Sequence, residues 1–136
     1  VMEKPTYTSE EEVMFYDTDI GGVVHNLAYL RMIESNRTKL ARLMGMDLKQ
    51  MAEDHLYPVL LRTEADYKKP GTLSDILRIE GHLDVVEKVR FWCEFKVYRE
   101  SDNQLLITCR QSLALVKMPE GRPQRLPKEW VQQWGY

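Results

Sequence analysis

The feature that most restricts this chain is that it carries a single long helical pattern. From Asn26 onward, Leu27, Leu30, Ile33, Leu40 and Met44 recur at spacings of three, four or near multiples of them, which puts them on one stripe of an α-helix. Gly45 is placed as the C′ residue, and Arg37, Lys39 and Arg42 sit in the later turns, where the negative end of the helix dipole favours cations. Ahead of the helix, "EEVMFYDTD" alternates weakly through Val13, Phe15 and Tyr16 and suits a short strand ending near Tyr16. Downstream, "YPVLLRTEADY", "DILRIEGHL", "VRFWCEFKVYRE" and "QLLITCRQSLALVKM" read as four strands separated by "KKPGTLS", "DVVEK" and "SDNQ". One helix must then serve a whole antiparallel sheet. The expected class is α+β, a five-stranded antiparallel sheet wrapped around one long central helix.

Within "VRFWCEFKVY", Val89, Phe91, Cys93, Phe95 and Val97 form one face and Arg90, Trp92, Glu94, Lys96 and Tyr98 the other. In "LLITCRQSLALV" apolar residues fall on both phases, as in a strand buried on both faces or packed on a second subunit. After Pro123 and Pro127 the tail suits a short helix from Lys128 to Gln133. No repeat, low-complexity tract or linker divides the chain, so residues 1–136 are expected to form one domain. Such a protomer leaves one sheet face and one edge poorly covered, and pairing with a second copy is the economical remedy.

Composition narrows the partners. With 43% hydrophobic residues in 136, the chain can bury a proper core without staples. Its 19 basic and 21 acidic residues are interspersed, a net charge of −2, so no nucleic-acid footprint is indicated. Small molecules and copies of itself are the expected partners. Cys93 and Cys109 lie in separate strand-like runs without zinc-ligand spacing and read as reduced, buried residues. The start "VMEKPTYTSEEE" lacks the pattern of a secretory signal, and no run approaches the roughly 20 apolar residues of a membrane span, so the cytoplasm is the expected compartment.

The chemistry concentrates in "YDTDIGGVVHNLAYL", residues 16–30. The first turn of a helix leaves several N–H groups without partners and carries partial positive charge. Many helices place an acid there, but after Asn26 come Leu27, Ala28, Tyr29 and Leu30, and the first acid is Glu34. Asn26 is the expected N-cap, yet a capping box would need Glu or Gln where Tyr29 stands. The spare donors suit a carbonyl oxygen that becomes negative in a transition state. Asp19, across the Gly21-Gly22 turn, is positioned in the sequence to attack that carbonyl or to hold a water beside it. The same residues also read as an ordinary turn in which Asp17 or Asp19 bonds loop amides.

Tyr16, Asp17, Thr18, Asp19, Gly22, Val23, Val24, Tyr29, Leu30 and Glu34 together resemble the signature of the hotdog-fold acyl-CoA thioesterases. The likeness is to the 4-hydroxybenzoyl-CoA thioesterase type and its short-chain bacterial relatives associated with the Tol-Pal envelope system. It is strongest over Glu12 to Arg37, and "YKKPGTLSDILRIE" extends it downstream. The resemblance implies that Asp19 is the catalytic carboxylate and that the Asn26 N–H polarises the thioester carbonyl. It implies that Gly22 and Val23 form a close-packed turn and that Asp17 is structural; Gly22, Val23, His25 and Tyr29 are the expected substrate-binding residues, with His25 expected to shape the pocket or bond to the loop. One departure is plain: the Tol-Pal relatives carry a histidine where this chain has Asn26, and its own histidine is His25, one place earlier. A backbone donor survives that change, whereas a side-chain acid or base role for histidine does not transfer.

Other candidates carry less chemistry. Glu34 and Arg37 suit a helical pair, Glu64 and Asp66 share one strand face toward solvent, and Trp92, Trp130 and Trp134 suit packing. His55 and His82 have no ligand-like neighbours, so no metal site is expected. Coenzyme A, as part of the substrate and the only cofactor-like group implied, would meet cations with its phosphates, and Lys68, Lys69, Lys88 and Arg90 at strand ends are the candidates. The expected reaction turns an acyl-CoA and water into a carboxylic acid and coenzyme A, on a dimer or a tetramer of dimers. The rival readings are a non-catalytic acyl-thioester-binding or scaffold protein, and a dehydratase on the same fold that pairs a histidine and an acid across subunits.

Overall fold

The computed structural model describes residues 3–135. Residues 1–2 and 136, the ends of the expected single domain, lie outside the described residues. The strands are β1 (Thr6–Glu12), β2 (Leu56–Tyr67), β3 (Ile76–Val86), β4 (Arg90–Arg99), β5 (Gln104–Lys117) and β6 (Arg122–Gln124). The α-helices are α1 (Asn26–Leu43), α2 (Leu48–Glu53) and α3 (Lys128–Trp134). The class is α+β. The expected five strands and one long helix, with a short helix from Lys128 to Gln133, are corrected to six strands and three α-helices among the described residues: α2 and β6 are additional, and the C-terminal helix is present as α3.

All pairings are antiparallel, in the order β1-β3-β4-β5-β2, with β6 added to β5. The pairing of β4 with β5 stops at Arg90 against Ala114, and β6 takes over along Leu115–Lys117. Gln111 through Val116 are all buried, so this part of β5 is covered on both faces, as its apolar residues on both phases lead one to expect. The first strand is also corrected. It runs through the polar stretch "TYTSEEE", while Phe15–Asp17 form a short 3-10 turn because the Asp17 carboxylate accepts the Met14 N–H at 3.0 Å. The sequence hides this because β1 is an edge strand, half-buried on one phase only. The segment "DVVEK", expected as a loop, instead contributes Val85 and Val86 to β3 beyond a bulge.

Helix α1 runs for 18 residues and buries Ala28, Tyr29, Met32, Ile33, Asn36, Leu40 and Ala41. It ends as the sequence expects: Gly45 adopts φ +91°, and the Gly45 and Met46 amides bond back to the carbonyls of Arg42 and Ala41. The apolar side of α1 shares one core with Leu77, Ile79 and Leu83 of β3 and with Phe91, Phe95 and Val97 of β4. Asn36, fully buried, ties the layers together by donating from Nδ2 to the Tyr7 carbonyl, Ser9 Oγ and the Ile79 carbonyl. Among the described residues no helix is long and apolar enough to cross a membrane.

Candidate active site

The loop from Asp17 to His25 is a small hairpin sewn to its surroundings by its own backbone. The Asp19 N–H donates to the Val23 carbonyl and the Gly22 N–H to the Asp19 carbonyl, both at 2.9 Å, and Thr18 bridges Val24. Gly22 stands at φ +77° with open space where a Cβ would go, so glycine is needed here for backbone conformation and not for close packing. The far side of the loop meets the turn after β2. Val23 bridges Thr72, the Val24 N–H donates to the Gly71 carbonyl at 2.9 Å, and the Gly71 N–H donates to the Tyr29 hydroxyl at 2.8 Å. A Cβ on Gly71 would meet that hydroxyl at 3.2 Å and Val24 Cγ2 at 3.3 Å. Tyr29 is therefore a buried positioning residue whose hydroxyl is engaged, and burial pushes its pKa up.

Asp17 is the structural acid. It is 2% exposed, bonds the Met14 amide, accepts the His25 N–H on its carbonyl at 2.9 Å and faces Arg31 at 3.7 Å. Asp19 is the exposed one: Oδ1 accepts the Gly21 N–H at 2.9 Å, an Asx turn, and Oδ2 has no partner among the described residues. The turn reading and the catalytic reading thus use different oxygens of one carboxylate.

The helix start differs from the expectation in one respect. His25 is the N-cap, its Nδ1 accepting the Ala28 N–H at 3.1 Å, and Asn26 is the first helical residue. An accepting Nδ1 assigns the ring proton to Nε2, which lies 3.3 Å from the Tyr16 carbonyl oxygen. Both ring nitrogens of His25 are occupied, leaving no basic atom to take a proton from substrate. The first turn of α1 holds no acid, and among the described residues the Asn26 and Leu27 amides have no acceptor. The Asn26 side chain turns away, its oxygen accepting the hydroxyl of Tyr67 at the end of β2.

The four cations do not form one patch. Lys68 and Lys69 leave β2 next to Tyr67, their amides sharing the Leu106 carbonyl at 2.8 and 3.2 Å. Arg90 faces Ala114 and pairs with Glu87 at 2.7 Å, with Lys88 beside it. Leu106 and Ala114 are eight residues apart on β5, about 27 Å. The reading of the residues missed Tyr67 and Arg99. Arg99 grips Asp75 at 3.2 Å and the Pro70 carbonyl at 2.9 Å, and Asp75 in turn accepts from the Thr72 amide at 2.9 Å. That chain holds the turn against which Val23 and Val24 are laid. Only the acid-bearing strand start of the resemblance hinted at it.

An exposed carboxylate on the hairpin that leads into a helix whose first two amides are unoccupied supplies the two kinds of group that attack on, or hydration of, a carbonyl requires: a base or nucleophile and oxyanion donors. The chain is 28% identical over 118 residues to the acyl-CoA thioesterase YbgC of Haemophilus influenzae, covering 86% of this chain and 85% of that one. It is 24% identical over 127 residues to the 1,4-dihydroxy-2-naphthoyl-CoA hydrolase of a Synechocystis species, covering 92% and 91%. The crystal structure of a 1,4-dihydroxy-2-naphthoyl-CoA thioesterase from Synechocystis superposes with a TM-score of 0.83 at 22% identity over 94% of each chain, a likeness of fold. Residues 13–135 match the pattern of the Thioesterase-like superfamily. The resemblance carried by residues 16–34 therefore holds over nearly the whole chain, which belongs to the Thioesterase-like superfamily.

Proposed function

We propose that this chain hydrolyses acyl-CoA thioesters, with Asp19 as the nucleophile or general base and the Asn26 N–H as the oxyanion donor. Family membership makes it a thioester hydrolase, and the matching relatives that act on acyl-CoA support coenzyme A as the carrier. The observation that carries the assignment of residues is the start of α1. His25 accepts the Ala28 and Tyr29 amides, and among the described residues the Asn26 and Leu27 amides, at the end of the Asp19 hairpin, have no acceptor. Removing one oxyanion donor costs on the order of 3 kcal/mol of transition-state stabilisation, so donors left open at a helix start match this chemistry.

The protomer is read as a single hotdog domain over residues 1–136, its sheet curled about α1. The free edges are β1 and β2, and β2 exposes Tyr57, Val59, Leu60 and Leu61, an apolar edge that suits a second copy. On that reading the assembly is a dimer or a tetramer of dimers in the cytoplasm. Lys68 and Lys69 then take coenzyme A phosphates near their own Asp19, while Lys88 and Arg90, at the far end of the sheet, serve the site of a second copy. Gly22 and Val23 shape the rim of the acyl site.

The test is thiol release from a panel of acyl-CoAs by the wild type and by Asp19→Asn. Asparagine keeps an oxygen for the Gly21 amide, so the turn survives while the charge is lost. A fall of about a thousandfold in kcat with an unchanged melting temperature is expected. Equal rates would remove Asp19 from the mechanism, and binding without any thiol release would favour the scaffold reading.

A further inference from the structure

A cleft opens beside the first turns of α1. It measures about 270 Å³ and lies between Leu27, Leu30 and Arg31 of α1, Leu60 and Thr63 of β2, and Gln111 of β5; Arg31 is paired with Glu11 and Asp17. A second cavity of about 150 Å³ lies under the C-terminal half of α1, walled by Ala41, Met44, Met46, Phe91 and Leu113. Among the described residues Glu34 and Arg37 line both, which places them between the two spaces. The Arg37 guanidinium donates to Gln111 Oε1 and, at 3.3 Å, to Glu34 Oε1, and Gln111 is anchored by donating from Nε2 to Thr63 Oγ1 at 3.2 Å. With 16% of its side chain exposed, Arg37 pays a desolvation cost, and burial pulls its pKa down.

We propose that Arg37 is the residue that limits acyl length: its guanidinium closes the far end of the acyl cleft, and the apolar cavity behind it is a reserve that longer chains reach only when the gate is removed. The proposal rests on the acyl-CoA thioesterase reading. Helical side chains lean toward the N-terminus, which sets the guanidinium near the level of Glu34. From Asn26 to Glu34 is eight helical residues, about 12 Å of cleft for a thioester whose carbonyl sits at the Asn26 amide. A methylene arriving there meets a charged, hydrogen-bonded group and must break charge-assisted bonds to pass. Behind the gate the walls are apolar, and each further methylene buried is worth roughly fourfold in binding. Gate and chamber therefore have opposite preferences for the same acyl tail.

The experiment measures kcat/KM for butyryl-, hexanoyl-, octanoyl-, decanoyl- and lauroyl-CoA with the wild type, Arg37→Ala and Arg37→Met, each checked by thermal melting. Methionine fills much of the arginine volume, so it reports on the gate even if the alanine variant fails to fold. The wild type should prefer the shorter members, and both variants should raise the lauroyl to butyryl ratio at least tenfold, the worth of about two further buried methylenes. Adding Ala41→Phe to Arg37→Met should fill the chamber and return the profile to that of the wild type. A wild type that already prefers lauroyl-CoA, or variants that lose activity equally on all chains, would overturn the gate. A wild type that hydrolyses none of the series defeats the thioesterase reading and the gate with it, whereas an unchanged profile in an active enzyme defeats the gate alone.

Discussion

The hydroxyl of Tyr67, at the last position of β2, donates to the side-chain oxygen of Asn26, at the first position of α1. This bond joins the edge strand to the helix end whose amide is proposed above as the oxyanion donor. It leaves the Asn26 N–H open while fixing the residue that carries it. Tyr67→Phe removes the tie and no apolar surface. A bond of this exposure is worth about 1 kcal/mol, so kcat/KM should fall about fivefold with little change in melting temperature. Steady-state thiol release beside a thermal melt checks both halves, and an unchanged rate would show that the amide needs no side-chain support.

His25 separates capping from catalysis. His25→Ala deletes the side-chain acceptor of the Ala28 amide, which keeps only the His25 carbonyl at 3.1 Å, and should cost about 1 kcal/mol of unfolding free energy, read by denaturant titration. His25→Asn supplies a better capping oxygen and should restore that stability. If His25 acts only as a cap, the asparagine variant keeps wild-type kcat. A loss of a hundredfold or more in the well-folded asparagine variant would instead give the ring a proton-transfer role.

How far this was legible follows from the range of the interactions involved. The extent of helix α1 could be read from its apolar recurrence, the Gly45 stop and the late cations, but its buried face only in part: Ile33, Leu40 and Met44 are buried, whereas Leu27 is exposed and Ala28, Tyr29 and Met32 take its place in the core. The alternation of β4 was equally clear, and Phe91, Cys93, Phe95 and Val97 are buried on one face. The short elements α2 and β6 carry too few residues to show a period. Strand β1 was misplaced because apolar Val13, Phe15 and Tyr16 drew the pattern, while the Asp17 carboxylate folds that stretch into a turn. At the site, the acid-poor helix start was visible in the residues alone. The cap was assigned one residue late, since asparagine is the stronger capping residue and histidine is rarely used there. Tyr67, Asn36 and Arg99 act on residues 24 to 43 positions away, and no local pattern announces such bonds.

Gly81 illustrates that distance dependence and supports a third prediction. It sits in β3 directly beneath Asn36, and a Cβ there would lie 2.2 Å from Asn36 Oδ1 and 2.9 Å from two ring atoms of Phe95. Neither neighbour can retreat easily, as Asn36 is held by Tyr7, Ser9 and Ile79 and Phe95 is fully buried. Gly81→Ala should therefore destabilise by about 3 kcal/mol, the upper range of overpacking, despite the better strand propensity of alanine. Urea unfolding measures it, and a loss below about 1 kcal/mol would mean that the helix and sheet separate freely at this point.

The last prediction concerns alkaline pH. Burial pushes the Cys93 thiol up to about 12, against the opposing pull of the Arg37 charge, and pushes Cys109 up to about 11, again with Arg37 opposing. In the unfolded chain a thiol titrates near 8.5. Between those values the unfolded state has released a proton that the folded state retains, so each thiol's contribution is complete below about pH 8.5 and is lost as pH rises toward 11 or 12. The slope is on the order of 1 kcal/mol per pH unit for each thiol. Unfolding free energy measured from pH 8 to 10.5 should fall less steeply in Cys93→Ala and in Cys109→Ala than in the wild type, whatever each variant loses at neutral pH. Because lysines and tyrosines titrate equally in all three proteins, the difference in slope isolates the thiols, and identical slopes would mean that neither thiol is shielded from solvent in the folded protein.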